Sequence, residues 1–500
     1  MKKLFRSLVV LTAAAALCFA CEKPDNPNGG GGGDDNGKEE QIDYAEQQRR
    51  KAALDALSFL KNDIMSDYYY WYKLMPNKEY TYKTDIYKYF DSILYEKDRW
   101  SWMMDGQEYI AEESGLIFGT YGASYGQSDY ENDYSIYVRY VFPNSPFSEI
   151  GVQRGWKIDQ VDNKSVVGYW LTSEDRLNQL VDIISYPSTT EYHAFGFIDN
   201  DGNKVDKSVK AVESLNTRPC IAKKIFTAED YPGLTAPVGY FCYLSFKADD
   251  DVNGKSMLDD ITEPMAYFKE NNVKTLIVDL RYNGGGDSRA SDLLVSYLAP
   301  HSADGEVYVK RTHNDKLRSE DEETKVSCAA DSPNFEKLYF ITGKGSASAS
   351  EMTLNGLKPL ADLTHVGGIT YGKPNGMYVF YYPGDNAAYA EYRRGNFKNL
   401  KYVFLPICFY NANGLGENIP DEGLTPDNIR PDDIYHDFDV TEDNIAACLY
   451  NIVNGGFPEL PEPPTKAGKS SYDGPRVKLP LNREDYDKNY GSFVVKPDFL

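Results

Sequence analysis

The stretch "EKLYFITGKGSASASEMTLNGLKPLA", Glu336 to Ala361, changes character at its middle. Its first eight residues read as a short strand, an aromatic and β-branched run that ends at a glycine. From Ser350 onward, Leu354, Leu357 and Ala361 recur at three- and four-residue spacing, which reads as a helix. Between the two lie Ser346, Ser348 and Ser350, separated by single alanines. Such a turn can be a flexible linker, an ordinary helix N-cap, or the seat of a nucleophile. The flanking sequence has to decide.

Working outward, the region from about Glu213 alternates strands with helices. "VGYFCYLSF" reads as a strand, "GKSMLDDITEPMAYFKENN" as a helix, and "VKTLIVDLRYNGGG" as a buried strand that breaks into glycines. "SRASDLLVSYLA" is helical again, and "LTHVGGIT" is a further strand. This succession predicts a layered α/β core. Upstream, about Glu39 to Ser114 carries helical periodicity, in "YAEQQRRKAALDALSFLKNDIMSDYYYWYKLM" and again in "DIYKYFDSILYEKDRWSWM". The residues after about Phe457 are rich in proline, lysine and aspartate and show no period, so they read as a tail.

From about Leu116 to Val212 the pattern is one of short strands. "DYSIYVRYVF" runs into "PNSPFSEIGVQRGWKIDQVDNKSV". The order of strand, Ser-Pro turn, short helix, glycine turn and strand resembles a PDZ domain. Ser145, Pro146, Gly151, Gly155, Ile158 and Val161 match that pattern, while Trp156-Lys157 replaces the usual Gly-Asp and Asn163 stands where glycine is common. The resemblance implies capture of extended peptide ends by strand addition.

Composition narrows the classes. A chain of 500 residues predicts more than one domain. A formal net charge of −23 argues against nucleic-acid binding and against electrostatic docking on anionic lipid. At the N-terminus, Lys2, Lys3 and Arg6 precede "SLVVLTAAAAL", which reads as a secretory signal. The segment ends "LCFAC", followed by "EKPDNPNGGGGGDDNGKEE", and resembles a bacterial lipoprotein signal cleaved before Cys21, although Cys18 stands where leucine is usual. Lipidation of Cys21 and a flexible tether to about residue 40 are therefore expected. Cys220, Cys242, Cys328, Cys408 and Cys448 are scattered, with no CxxC, so no zinc site or other metal site is expected. The expected domains are a signal over 1–20, a tether over 21–40, a helical module over 41–114, a PDZ-like domain over 115–212, a catalytic domain over 213–456 and a tail over 457–500.

The chemistry turns on two stretches. In "IVDLRYNGGGD", Ile277 to Asp287, three glycines expose backbone N–H groups, yet no Lys-Ser/Thr follows as a P-loop would require. In "GSASASE" a serine at a helix N-terminus sits where N–H groups favour a developing oxyanion. A serine needs a base. The five histidines, His193, His301, His313, His365 and His436, lie in no triad motif. A lysine serves if burial lowers its pKa, and "GGITYGKPNG" supplies Lys373, 25 residues after Ser348.

"VGYFCYLSF", "DLRYNGGG", "GSASASE", "YGK" and "DEGLTPD" occur in an order similar to that of the carboxy-terminal processing peptidases, over roughly residues 42 to 450. That resemblance implies a ClpP/crotonase-like core with a PDZ domain and a helical N-terminal part. It implies Ser348 as nucleophile, Lys373 as general base, and the N–H groups of Ala349 and Gly285 (or Gly284) as oxyanion hole. No metal or cofactor is implied. Protein or peptide substrates with accessible termini are implied, at the extracytoplasmic face of a bacterial membrane, while the sequence leaves the oligomeric state open. Many members carry a glutamine four residues after the lysine; here the position is Met377, with Asn375 nearby as a candidate orienting residue. The rival expectation is a peptide-binding scaffold lipoprotein of the same fold without turnover.

Overall fold

The computed structural model describes residues 43–128, 135–166, 174–397, 399–460, 479, 481 and 492–495. The expected signal, Cys21 and the tether lie outside these residues. The chain divides into two compact units, 1–48 and 49–500.

The N-terminal module is helical for most of its length, with helices over Ile86–Ile93 and Gly106–Glu113. The second expected helix holds only to Ile93, and residues 94–101 are turn and loop. Trp102–Asp105 is a strand, paired antiparallel with Tyr402–Leu405. Trp102 and Met103 are buried as edge partners of the core, so tertiary pairing overrides a local period that alone suggests helix.

The next region is a six-stranded antiparallel sheet, in the order Ala123–Gln127, Ile136–Val141, Lys157–Val161, His193–Ile198, Lys204–Val209, with short Lys164–Ser165 also paired to Lys157–Val161, and it carries helices Pro146–Glu149 and Glu174–Ser185. Its motif residues have evident physical roles. The Ser145 hydroxyl accepts from Ser148 N–H at 3.2 Å and caps the helix that Pro146 opens. Ile158 and Val161 point into an aromatic core with Phe147, Phe195 and Phe197. Gly155 has φ +86°, and a Cβ there would lie 2.7 Å from the carbonyl of Tyr435, so only glycine lets the domain seat on the core.

The core is built on β1 (Val238–Tyr243), α1 (Asp259–Glu270), β2 (Thr275–Asp279), β3 (Gly285–Asp287), α2 (Ser288–Leu298), β4 (Lys337–Thr342), α3 (Ala349–Leu357), β5 (Leu363–Gly367), β6 (Asn375–Tyr378), β7 (Ile407–Asn413) and β8 (Ser492–Val495). β1, β2, β4 and β5 run parallel, with Cys220–Phe226 antiparallel on one edge and Asn428–Ile429 parallel on the other. Alternate residues face opposite layers. Leu276, Val278, Leu338 and Phe340 join one apolar cluster, whereas Ile277, Tyr339 and Ile341 join another, under helix Asp443–Asn454. Both faces are covered, which explains why these strands read as unbroken apolar runs. A second sheet has the order β3, β8, β6, β7, Val307–His313, Glu322–Lys325. β8 belongs to the stretch that reads as a patternless tail.

Candidate active site

The turns that leave β2 and β4 meet at the carboxyl ends of the parallel strands, where open α/β sheets present their sites. Ser346 fastens them together: its hydroxyl donates to Leu280 O at 2.7 Å. Asn283 does more. Its backbone carbonyl accepts from Ala347 N–H at 3.1 Å and from the Ser350 hydroxyl at 2.8 Å. Its side-chain amide donates to Tyr243 O at 2.9 Å, and its Oδ1 accepts from Gly285 N–H at 2.8 Å. Ser346 and Ser350 are thus turn fasteners, and the Gly285 N–H is already engaged.

Ser348 differs from its neighbours. It is fully buried, with φ 58° and ψ −108°, a conformation that a non-glycine residue adopts only under local constraint. Such strain costs on the order of 1–3 kcal/mol and is typical of a strand-to-helix turn that presents a side chain. Its Oγ has no hydrogen-bond partner among the described residues. Ala349 follows as the first residue of α3, in the turn whose N–H groups lack intrahelical acceptors.

The link between the serine turn and the lysine is Glu351. One oxygen, Oε2, accepts from Ser348 N–H and from Lys373 N–H, both at 2.9 Å. Oε1 accepts from Gly372 N–H at 2.7 Å and from the Thr370 hydroxyl at 2.5 Å. A single carboxylate therefore holds the backbones of residues 348 and 373 side by side. Burial pushes the Glu351 carboxyl above its ordinary value, against the pull of these four donors. The sequence carries the signal for this residue, since Ser-x-x-Glu at a helix start is a capping-box pattern.

Lys373 is 1 % exposed. Burial lowers its pKa from 10.5 to about 7, opposed by the charges of Asp98 and Glu351. Its Nζ lies 4.0 Å from Met377 Sδ. The Asn375 amide is buried and, among the described residues, makes no hydrogen bond to Lys373. Asp98 comes from the N-terminal module, where its carboxylate accepts from the Tyr69 hydroxyl and from Trp100 and Ser101 N–H. Arg99 reaches Gly372 O at 3.3 Å and Asp421 O at 3.2 Å. Nothing in the local sequence around Asp98 signals that it faces the lysine.

Residues 237–397 match Peptidase family S41, and residues 62–102 match the Peptidase S41 N-terminal domain. The chain is a serine-type peptidase, a hydrolase with a mixed α/β fold. Both matched regions carry family S41 models, in keeping with the resemblance of its motifs to the carboxy-terminal processing peptidases. A candidate S41 protease from Bacteroides fragilis is similar in fold, with a TM-score of 0.61 and 20% identity, over 78% of this chain and 96% of that one. The photosystem II D1 C-terminal processing protease gives a TM-score of 0.42 and 17% identity, over 77% and 93%. Mature CPAF in complex with lactacystin gives 0.43 and 14%, over 81% and 99%.

Proposed function

We propose that this chain is an endopeptidase that works through a Ser348–Lys373 dyad on extracytoplasmic proteins. The observation that carries the reading is a buried hydroxyl on a strained turn, without a hydrogen-bond partner among the described residues, beside a buried lysine of pKa about 7, the backbone N–H groups of both residues bonding Glu351. A lysine of that pKa is neutral in about half the molecules near pH 7 and can accept the Ser348 proton. Attack on a peptide carbonyl then gives an acyl-serine, with the protonated amine returning its proton to the leaving amine. The same lysine activates the water that hydrolyses the ester. The oxyanion is received by Ala349 N–H together with Gly284 N–H, because the Gly285 N–H is given to Asn283. The PDZ-like sheet region is the capture site for substrate ends, by strand addition. A lipid on Cys21 holds the chain to a bacterial membrane.

The decisive measurement is peptide hydrolysis by Lys373→Arg, which keeps the charge but cannot lose its proton at any working pH. Turnover should vanish there and in Ser348→Ala, with folding intact. Residual hydrolysis in Lys373→Arg would sink the dyad, and a wild-type chain that binds peptide without cutting it would favour the scaffold. Anchoring is tested separately by Cys21→Ser, which should move the chain from the membrane fraction to the soluble one; no movement rules the anchor out.

A further inference from the structure

β3 spends one of its two edges on Phe246. Phe246 N–H donates to Gly285 O at 2.9 Å, and Asp287 N–H donates to Phe246 O at 2.8 Å. Alternation along the strand turns the N–H and C=O of Gly286 toward the opposite edge. On that edge lies β8, parallel, with Gly285 opposite Ser492, Gly286 opposite Phe493 and Asp287 opposite Val494. The far side of β8 pairs with β6, Val494 opposite Met377 and Val495 opposite Tyr378. A strand from beyond the last core helix therefore fills the slot between the glycine turn and the strand that begins two residues after Lys373.

The same segment makes a second contact upstream. Leu479 and Leu481 are buried in the aromatic core of the upstream sheet domain, with Phe147, Phe195 and Phe197. Leu479 N–H donates to Gln127 Oε1 at 3.1 Å, and the Ser185 hydroxyl donates to Leu481 O at 3.0 Å. Gln127 ends the first strand of that domain and Ser185 ends its long helix, so the segment lies between a strand and a helix. It touches in turn the two places that a captured and then cleaved polypeptide would need.

We propose that the slot between β3 and β6 binds an extended peptide, and that the chain's own Ser492–Val495 is its resident occupant, competing in cis with substrate. The proposal rests on the reading of Ser348 and Lys373 as the reacting pair. A polypeptide backbone fits the slot because both walls offer main-chain groups. β3 itself, with glycines at φ 103° and 136°, is a poor strand on its own and admits a backbone in close approach.

A tethered segment has an effective concentration in the millimolar range, so an occupant of about 100 µM intrinsic Kd depresses competing peptide binding about tenfold. The test compares the full chain with a chain ending at Gly491, each also as Ser348→Ala. The shortened Ser348→Ala protein should bind a labelled peptide of residues 491–500 about tenfold more tightly than the full-length one. The shortened active protein should cleave an unrelated unstructured peptide with kcat/KM about tenfold higher, and the added 491–500 peptide should raise KM while leaving kcat unchanged. Val494→Pro in the full chain, which removes one strand N–H, should move both readings the same way. Equal peptide binding at both lengths would overturn the proposal. So would a folded short form with unchanged or lower kcat/KM, or failure of both variants to fold, since each marks a scaffold strand. Binding as expected with no hydrolysis in any form would uphold the occupied slot and overturn the Ser–Lys reading instead.

Discussion

Lys373 shows at the scale of one side chain what the proposed dyad requires. Its pKa of about 7 against 10.5 means that folding disfavours its proton. The unfolded chain therefore binds more protons between those two values, and native stability rises with pH across that window. Below pH 7 the full penalty applies. At about 1.4 kcal/mol per pH unit, the gap between 10.5 and about 7 corresponds to roughly 4–5 kcal/mol. Lys373→Met keeps the volume and discards the charge, so it should abolish turnover and raise Tm at pH 7. The advantage of the variant should shrink steadily as pH approaches 10.5. A variant no more stable than the wild type at pH 7 would place the lysine in a solvated site and remove the basis for its reactivity.

At the scale of elements, the legible parts of the sequence were those that announce themselves by pattern. Unbroken runs such as "TLIVD" and "KLYFIT" gave the parallel strands because both faces of that sheet are covered. The order of the serine, glycine and lysine turns placed Ser348 and Lys373 on adjoining turns. What was hidden depends on distant partners: the strand at Trp102–Asp105, the engagement of Gly285 by Asn283, and β8, which pairs with β3 and β6. Glycines illustrate the same divide. Gly151 and Gly286 both have positive φ, but a Cβ on Gly151 meets nothing within 4 Å, whereas one on Gly286 would lie 2.1 Å from Phe246 O. Gly151→Ala should cost only about 1 kcal/mol, the left-handed backbone penalty. Gly286→Ala must shift β3 and should cost about 1–3 kcal/mol more. Thermal melts and the rate of Ser348 labelling by a small acylating probe separate the two. Labelling should fall in Gly286→Ala alone, and normal labelling there would mean that β3 does not set the oxyanion site.

Across the whole molecule, a buried guanidinium joins the sheet domain to the glycine turn that follows β2. Arg154, 3 % exposed, donates to the Tyr282 hydroxyl at 2.8 Å and to His436 O at 2.9 Å, and lies 3.6 Å from the Asp432 carboxylate. Tyr282 donates to Asp432 at 2.8 Å and directly precedes Asn283, which holds Gly285. Arg281 completes the cluster, on Asp279 at 3.0 Å and on Glu442 at 2.5 Å. Removing one member of such a cluster leaves the others uncompensated, at a cost of about 3–5 kcal/mol. Arg154→Met should therefore lower Tm and also slow acylation of Ser348, because the disturbance reaches the glycine turn through Tyr282. The pH dependence follows from Asp432. Burial would raise its pKa, but Arg281 and Arg154 outweigh that and hold it below its ordinary 3.8. Stability from a depressed carboxyl is present above the unfolded value and lost as pH falls through the folded one. The difference in Tm between wild type and Arg154→Met should thus be largest at neutral pH and narrow in acid below about pH 4. A difference that stays constant down to pH 3 would assign the loss to packing around the arginine rather than to its charge.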